Sequence, residues 1–351
     1  MEIRLCMAGF GAVGQRFCRL LAEKERELRE RYGLTVKLVG VCTKTQGALI
    51  DESGIPLASL FDKNGKRLPF VMHPAYHPCE TLEMIKTVSA DAFLELTTLS
   101  IRDGEPASNY IAAALRRGMH VILANKGPIA WNYRALRSLA EQEKRALLYE
   151  TIVMDGTPVF NLVEKALRGN TVTELRGILN GTTNYVLQQL ERGKTYEEAI
   201  RMAQEIQLAE ADPSMDVDGW DGAAKNCAMA NVFMDAHLTP MDVDVTSLRT
   251  VTPERVKQVE ADGKRMKYIC HARTNAGQIK MYVKPEVVDE TDPLFRVDGT
   301  SAALTLYTDL AGEVTIVQTD PGILQTAYGV YSDLLTLSVE RYALGSMSRN
   351  Q

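Results

Sequence analysis

Residues 2–21 read EIRLCMAGFGAVGQRFCRLL, and their pattern predicts the fold of the first half of the chain. An apolar run over residues 3–8 leads directly into the glycine motif of residues 9–14, and a helical pattern then continues to Gly33. Residues 35–42 form the next apolar run. A strand, a glycine-rich turn, a helix and a second strand in this order predict a βαβ unit, from which parallel sheets are built.

The same alternation of strands and helices continues toward residue 150. The sequence predicts strands over 92–97, 120–125 and 146–153, and helices over 106–118 and 132–145. Because the strands are nearly continuous apolar runs, we expect a parallel sheet with helices on both faces. The first domain, residues 1–150, is therefore predicted to be an α/β domain of the Rossmann type that binds a nucleotide.

After residue 155 the pattern changes to one typical of an α+β domain. Helical patterns at 158–168, 182–192, 195–207 and 221–236 mix with strand-like segments at 279–288 and 303–319. We expect a second domain over residues 151–324 that binds the substrate. The final helical pattern, 325–351, is expected to rejoin the first domain, because chain termini often lie close together.

Composition argues against several classes of function. The formal net charge is −5 and no basic stripe stands out, so we expect no nucleic-acid partner. No apolar run approaches the roughly 20 residues of a membrane span, and the N-terminus lacks a signal-peptide pattern. The six cysteines lie far apart, which is typical of reduced thiols. We therefore expect a cytoplasmic protein without a membrane partner.

The motif of residues 9–14, GFGAVG, predicts a dinucleotide site because of its context. A lone G-x-G-x-x-G is weak, but this one follows a strand, opens a helix and heads a βαβ unit. Gly9 allows the tight turn, Gly11 lets the backbone approach a pyrophosphate, and Gly14 permits close packing of the helix on the strand.

The pyrophosphate is expected at the N-terminus of the first helix, against Ala12 and Val13. Free N–H groups and the helix dipole favour anions at that point. Thr97, at the end of the strand over 92–97, and Lys126, after the strand over 120–125, are further expected cofactor contacts.

The choice of cofactor depends on the end of the second strand. A site for NAD would place Asp or Glu there to hold the ribose 2′-hydroxyl. Here the strand runs into Thr43 and Lys44, and the first carboxylate is Asp51. A lysine and a hydroxyl suit a 2′-phosphate, which favours NADP. If Lys44 is only a solvated loop residue, NAD stays open.

Residues 208–225, LAEADPSMDVDGWDGAAK, gather five carboxylates ahead of a single lysine. A metal cage, a solvated acidic loop and a receptor for a cationic substrate all fit such a run. The metal interpretation is the weaker one, because the spacing and terminal Glu of a calcium loop are missing. Asp212 and Asp218, which precede Pro213 and Gly219, are typical of turn residues.

Two lysines occupy positions that favour chemistry. Lys126 directly follows the strand over 120–125, at the sheet edge where open α/β folds bind ligands. Lys225 is predicted in the first turn of a helix that starts after Asp221, where the helix dipole disfavours a cation. The alternative for each lysine is a surface charge, and for Asp221 with Lys225 an ion pair of roughly 0.3–0.5 kcal/mol.

The chain resembles the homoserine dehydrogenase family nearly from end to end. The matching stretches are GFGAVG (9–14), EPASNYIAAALRRGMHVILANKGPIA (105–130), GILNGTTNYVL (177–187) and AEADPSMDVDGWDGAAK (209–225). The last is close to the family signature A-E-x-D-P-x-x-D-V-x-G-x-D-x-x-x-K. The resemblance implies a homodimeric NAD(P)-dependent enzyme, without a fused regulatory domain, that reduces L-aspartate 4-semialdehyde to L-homoserine in the biosynthesis of threonine and methionine.

The resemblance also implies roles for individual residues. Lys126 and Lys225 would surround the reacting oxygen, and Asp221 would orient Lys225. Glu210 and Asp216 would hold the amino group of the substrate, which makes a cation receptor the favoured interpretation of the acidic run.

A substrate contact and a cation site follow from the same resemblance. Thr182, in the NGTTNY turn, would line the substrate cavity. Glu150 matches the family's site for sodium or potassium, whose other ligands are backbone carbonyls around Val153, Asp155 and Thr157. This chain carries Asp155 in a loop that is commonly rich in glycine.

Two other functions stay open at this point. Residues 318–322, QTDPG, replace the family's usual G-x-G-A-G turn, and this stiffer loop is compatible with another hydroxy-amino acid or hydroxy acid as substrate. The third possibility is an NADP-binding protein without catalysis. The presence of Lys126, Lys225 and Asp221 argues against it, because a sensor has no use for proton donors.

Overall fold

The computed structural model describes residues 1–347, with side chains through Val339. The chain divides into two compact units: unit 1 comprises residues 1–128, 134–158 and the segment from 322, and unit 2 comprises residues 129–133 and 159–321. Residues 348–351, the end of the predicted C-terminal helix, lie outside the described residues. None of the helices within residues 1–347 combines the length and the hydrophobicity that a membrane span requires.

Unit 1 contains a seven-stranded sheet. Its strands are β1 (Glu2–Ala8), β2 (Thr35–Thr43), β3 (Gly47–Ile50), β4 (Tyr76–His77), β5 (Ala92–Glu95), β6 (His120–Leu123) and β7 (Leu147–Leu148). Their order across the sheet is β4-β3-β2-β1-β5-β6-β7. The strands β2, β1, β5, β6 and β7 are parallel, as predicted, whereas β3 and β4 add an antiparallel edge.

Helices connect the parallel strands of unit 1. They are α1 (Ala12–Tyr32), α2 (Thr81–Thr87), α3 (Ala107–Arg116), α4 (Gly127–Glu143) and α5 (Thr151–Met154), with 3₁₀ turns at Leu57–Leu60 and Phe70–Met72. Gly33 ends α1 in the left-handed conformation, with φ 59°, and donates its N–H to Leu28 O, as predicted for a C′ glycine. The prediction of an α/β fold with a parallel sheet is confirmed.

The predicted strand over 146–153 is wrong in length. Only Leu147 and Leu148 pair with β6, at the edge of the sheet. The chain then turns into α5, where the N–H of Glu150 donates to Asp333 Oδ2 at 2.9 Å and Thr151 Oγ1 donates to Thr326 O at 2.9 Å. These long-range hydrogen bonds replace further pairing in the sheet.

Two predicted helices also differ from the observed ones. The helix expected over 132–145 begins earlier, as α4, because Pro128 fits the first turn of a helix. Its backbone departs from helical geometry at Asn132, with φ −131°, and this residue marks a kink. The helix expected over 158–168 is a short α-helical turn that continues as a π-helix over Leu162–Ala166.

Unit 2 combines helices with a six-stranded, mostly antiparallel sheet. Its helices are α6 (Val159–Asn161), α7 (Gly181–Glu191), α8 (Tyr196–Glu205), α9 (Ser214–Val217), α10 (Trp220–Phe233) and α11 (Pro253–Ala261), with 3₁₀ turns at Pro240–Asp242 and Leu248–Thr250. Its strands are β8 (Val172–Ile178), β9 (Asp244–Val245), β10 (Arg265–Asn275), β11 (Gln278–Val288), β12 (Ala302–Thr308) and β13 (Gly312–Gln318). The strand order is β13-β12-β8-β10-β11-β9.

The chain ends in a long helix, α12 (Ile323–Met347), which belongs to unit 1. Ala327, Val330, Leu334 and Leu337 on this helix are almost fully buried. They join the apolar core that α1 and the sheet of unit 1 share. The apolar core of unit 1 is therefore completed by a helix that follows unit 2 in the sequence.

Candidate active site

The glycine motif forms a tight turn at the carboxyl end of β1. Gly9 has φ +92°, and a Cβ there would overlap the carbonyl oxygen of Leu96, so this turn requires glycine. A Cβ on Gly14 would lie 2.9 Å from Gly9 O, which explains the close packing of α1 on the strand.

Gly11 is different, because a Cβ placed on it would meet no atom within 4 Å. It is the N-cap residue of α1 and supplies no side-chain cap, and the first turn carries no acidic residue. The N-terminus of α1 therefore faces open space at the point where Ala12 and Val13 begin the helix. Open space beside uncapped N–H groups fits the pyrophosphate of a dinucleotide.

The end of β2 carries the residues that were predicted to select the cofactor. Thr43 is the last residue of the strand, and its Oγ1 accepts a hydrogen bond from Gln46 N at 3.1 Å. Lys44 follows in the turn between β2 and β3 and is exposed. The ammonium group of Lys44 is therefore available at the sheet edge where an adenosine ribose would lie.

A buried carboxyl group that sequence reasoning missed joins two strand ends in unit 1. Glu95, the last residue of β5, is 0% exposed, and burial raises its pKa to about 7. Its Oε1 accepts hydrogen bonds from the backbone N–H and the hydroxyl of Thr97. Asn125 Nδ2 approaches Thr97 Oγ1 at 3.3 Å, while its Oδ1 accepts from Gly127 N at 3.0 Å.

These hydrogen bonds fix the loop that carries Lys126. Lys126 occupies the N-cap position of α4 and is partly buried, three residues beyond Leu123, the last residue of β6. A Cβ on Gly127 would lie 3.2 Å from Asn125 Oδ1, so the backbone after Lys126 is closely packed. The prediction that Lys126 stands at the carboxyl edge of the sheet agrees with this position.

The acidic run folds into a compact network in unit 2. Asp216 lies on α9, Asp221 in the first turn of α10, and Asn180 just before α7. Asn180 Nδ2 donates to Asp216 Oδ1 at 2.7 Å and to Asp221 Oδ2 at 2.9 Å. Burial and the neighbouring Asp221 carboxylate raise the pKa of Asp216. Sequence reasoning missed Asn180, although it stands inside the quoted GILNGTTNYVL stretch.

Lys225 completes this network. Its Nζ lies 3.2 Å from Asp221 Oδ2 and donates to Leu179 O at 2.6 Å. The prediction that Lys225 lies in the first turn of its helix is wrong. The helix begins at Trp220, after Gly219 in the left-handed conformation with φ 84°, so Lys225 lies in the second turn and Asp221 in the first.

The remaining residues of the acidic run lie around this network. Thr182 is buried, and its Oγ1 donates to Leu208 O at 3.3 Å. Glu210 is exposed on the loop after α8, so its contact with the substrate stays a prediction. Asp212 accepts hydrogen bonds from the N–H and the hydroxyl of Ser214, as a turn-shaping residue does. Asp218 instead accepts them from the side chains of Ser247 and Arg249, which follow it by 29 and 31 residues, so its side chain bonds to a distant segment.

The residues predicted for the cation site are close together in sequence around α5. Glu150 is 2% exposed and Thr157 is 8% exposed. Asp155 has φ +48°, and its Oδ1 accepts a hydrogen bond from Thr326 Oγ1 at 2.6 Å. With the carbonyl of Val153 the donors would all be oxygens, which suits a hard monovalent cation.

Comparison with known proteins shows which family carries these features. The family model described as "Homoserine dehydrogenase, NAD binding domain" matches residues 9–150, and the model described as "Homoserine dehydrogenase" matches residues 158–335. An NAD(+)-dependent homoserine dehydrogenase from Pseudomonas canavaninivorans is 36% identical over 95% of this chain and 96% of its own length.

The chain belongs to the homoserine dehydrogenase family. Membership makes it an NAD(P)-dependent oxidoreductase that acts on a CH–OH group. The homoserine dehydrogenase of Methanocaldococcus jannaschii is a further relative, 34% identical over 94% of this chain and 97% of its own length.

Solved structures of the homoserine dehydrogenase fold agree with this assignment. A structure from Archaeoglobus fulgidus superposes with a TM-score of 0.83 at 29% identity, over 96% of this chain and 99% of that one. A hyperthermophilic archaeal homoserine dehydrogenase in complex with NADPH superposes with a TM-score of 0.81 at 24% identity, over 97% and 98% of the two chains. The two-domain fold of the family is thus present nearly in full.

Proposed function

We propose that the protein interconverts L-aspartate 4-semialdehyde and L-homoserine, with Lys126 and Lys225 beside the reacting oxygen. The observation that carries this proposal is the network around Lys225. The ammonium group of Lys225 is held 3.2 Å from the Asp221 carboxylate and 2.6 Å from Leu179 O. The side-chain amide of Asn180 links Asp216 to this network. A fixed cation beside a partly buried carboxylate is a combination that suits an amino-acid aldehyde.

The lysines would act on the oxygen of the substrate. A bound nicotinamide supplies or accepts the hydride. During reduction, negative charge develops on the carbonyl oxygen, and an ammonium within hydrogen-bond reach stabilises that charge and donates a proton. Asp221 orients Lys225 through the ion pair between them. Lys126 belongs to unit 1 and Lys225 to unit 2, so their convergence on one oxygen is part of the proposal.

Asp216 would bind the amino group of the substrate. A carboxylate accepts strong, charge-assisted hydrogen bonds from an ammonium group. Partial burial strengthens such a contact, since water competes less for the charge. Glu210, on the exposed loop after α8, would supply a second carboxylate, and Thr182 would line the same cavity.

The decisive experiment measures absorbance at 340 nm with L-homoserine and either NAD⁺ or NADP⁺. We expect turnover, with kcat/KM for oxidation rising toward alkaline pH, because alkylammonium groups release their proton only there. A panel of other hydroxy-amino acids and hydroxy acids is the comparison. Turnover of a panel member without turnover of homoserine would indicate the related dehydrogenase, and binding of the cofactor without any turnover would indicate a non-catalytic protein.

We also propose a preference for NADP, which Lys44 supports by its place in the turn after β2. Lys44→Asp is expected to raise KM for NADP⁺ roughly tenfold and leave KM for NAD⁺ nearly unchanged, because only the former carries a 2′-phosphate. Lys63→Asp, on an exposed loop of the same unit, is the matched control. Equal responses of the two cofactors to Lys44→Asp would contradict the preference.

A homodimer, a monovalent cation at Glu150 and a cytoplasmic location complete the proposal. The dimer and the cation are supported by the family resemblance, and the location by six free cysteines. Sedimentation velocity, activity in sodium, potassium and tetramethylammonium salts, and cell fractionation test them respectively. A monomer would contradict the proposed dimer, equal activity in all salts would contradict the cation site, and recovery outside the cytoplasm would contradict the location.

We further assign dinucleotide binding to residues 1–150 with the C-terminal helix, and substrate binding to residues 151–324. When the two parts are expressed separately, only the first should bind NAD(P).

A further inference from the structure

Asn180 stands between two carboxylates, and both polar atoms of its side chain form hydrogen bonds. Its Nδ2 donates to Asp216 Oδ1 at 2.7 Å and to Asp221 Oδ2 at 2.9 Å. Its Oδ1 accepts the N–H of Thr183 at 2.9 Å and so caps α7. The residue is 9% exposed, so these contacts are largely shielded from water.

Two carboxylates held this close destabilise each other when both are ionised. In a partly buried place, one of them would take up a proton unless a donor stands between them. An amide is the neutral side chain that offers two N–H donors from one nitrogen. Lys225 offsets the charge of Asp221 directly, whereas Asp216 depends on the hydrogen bond from Asn180.

We propose that Asn180 is a positioning residue that keeps Asp216 and Asp221 ionised side by side, so that Asp221 serves Lys225 while Asp216 stays free to bind the substrate's ammonium group. The assignment of Asp216 rests on the proposed function. The bridge that Asn180 forms between the two carboxylates does not rest on the proposed function, because the two hydrogen bonds show it directly.

The charged groups that face Asn180 determine how the pKa of an acidic side chain at position 180 would shift. They are Asp216 from α9, and Asp221 and Lys225 from α10. The Cys270 thiol on β10 also lies near Asp221 and Lys225, but burial raises its pKa to about 12, so it stays neutral. A third carboxyl at position 180 would thus meet two carboxylates and one ammonium.

Asn180→Asp keeps the shape and the helix cap but replaces the N–H donors by an acceptor oxygen. We expect KM for homoserine to rise roughly 10- to 100-fold at pH 8, the size of losing a hydrogen bond to a charged group. The increase should shrink as pH falls, because a protonated carboxyl can donate again. Asn180→Ser keeps the cap without the bridge and should raise KM with little dependence on pH.

Thermal unfolding supplies a readout that does not need activity. The carboxyl at position 180 should have a pKa raised in the folded state, since two carboxylates surround it. The stabilisation that the protonated carboxyl provides is present in full below the pKa that this group has in the unfolded chain. It is lost as pH rises through the pKa of the same group in the folded protein. The Tm of Asn180→Asp, relative to wild type, should therefore fall between pH 5 and pH 8. Thr252→Asp, which adds an acid at the exposed N-cap of α11, should show no such fall.

The experimental outcomes distinguish a failure of the proposed function from a failure of the role proposed for Asn180. A wild-type protein that does not oxidise homoserine overturns the proposed function, while the pH dependence of unfolding still tests the shared ionisation. If Asn180→Asp unfolds with the pH dependence of the wild type, or if its KM follows that of Asn180→Ser at every pH, Asn180 only caps a helix and the inference is wrong.

Discussion

Replacing Lys225 by methionine is expected to lower kcat for homoserine oxidation by about 10²- to 10⁴-fold, the range for loss of a positioned acid–base group. Methionine keeps most of the apolar stem, so the packing of α10 should change little. What disappears is the ammonium that lies 3.2 Å from Asp221 and 2.6 Å from Leu179 O. Lys126→Met should produce a loss of the same order, because the second ammonium is assigned to the same oxygen.

Arginine at position 225 distinguishes charge from proton transfer. A guanidinium keeps the positive charge but does not release a proton in proteins. Lys225→Arg should therefore stay as slow in oxidation at alkaline pH as at neutral pH, whereas the wild type speeds up. Single-turnover kinetics at 340 nm measure this difference.

Lys257, exposed on α11, provides the matched control. Lys257→Met removes a lysine from the same unit and should leave kcat within about twofold, as exposed charges contribute little. Thermal unfolding of each variant checks that the fold is intact. Retention of near-wild-type kcat by both Lys225→Met and Lys126→Met would refute the mechanism.

The second large effect is expected from alanine at Gly11. Because a Cβ there meets no atom within 4 Å, the folded chain accommodates it, at about 1 kcal/mol for a poorer N-cap. The methyl group would, however, occupy the space into which the pyrophosphate must come. We expect KM for the cofactor to rise at least tenfold while Tm falls by only a few degrees.

Gly9→Ala is the contrasting variant. Its Cβ would overlap Leu96 O, and φ +92° is strained for alanine, so Tm should fall much further than in Gly11→Ala. Isothermal titration calorimetry with NADP⁺ and NAD⁺ separates loss of affinity from loss of fold. Unchanged cofactor affinity in Gly11→Ala would place the pyrophosphate somewhere else.

The glycine motif could be interpreted from sequence because its signal is local. Gly9, Gly11 and Gly14 stand at fixed offsets from a strand and a helix, and those offsets determine the turn. The end of α1 at Gly33 was predictable for the same reason. The parallel direction of the central strands could be predicted because their sequences are nearly continuous apolar runs, as in strands buried on both faces.

Asn180 and Glu95 could not be found in that way. Asn180 acts through hydrogen bonds to Asp216 and Asp221, which follow it by 36 and 41 residues and reach it only through the packing of α7, α9 and α10. Glu95 bonds to the nearby Thr97, but its complete burial depends on how the sheet is covered, which the local pattern does not show. Lys225 was predicted in the first helical turn but lies in the second, because Gly219, rather than Asp221, determines where the helix starts. The short β7 was missed because its apolar pattern continues after pairing with β6 ends.

The position of α12 in the chain has a consequence for biosynthesis. On the ribosome the sheet of unit 1 emerges early, but the helix that covers its core is translated only after all of unit 2. Until then the apolar surface that Leu334 and Leu337 will cover stays open to solvent, and the nascent polypeptide is exposed to aggregation and chaperone capture. Premature termination before residue 323 would therefore leave a product prone to degradation, even though every residue assigned to chemistry had already been made.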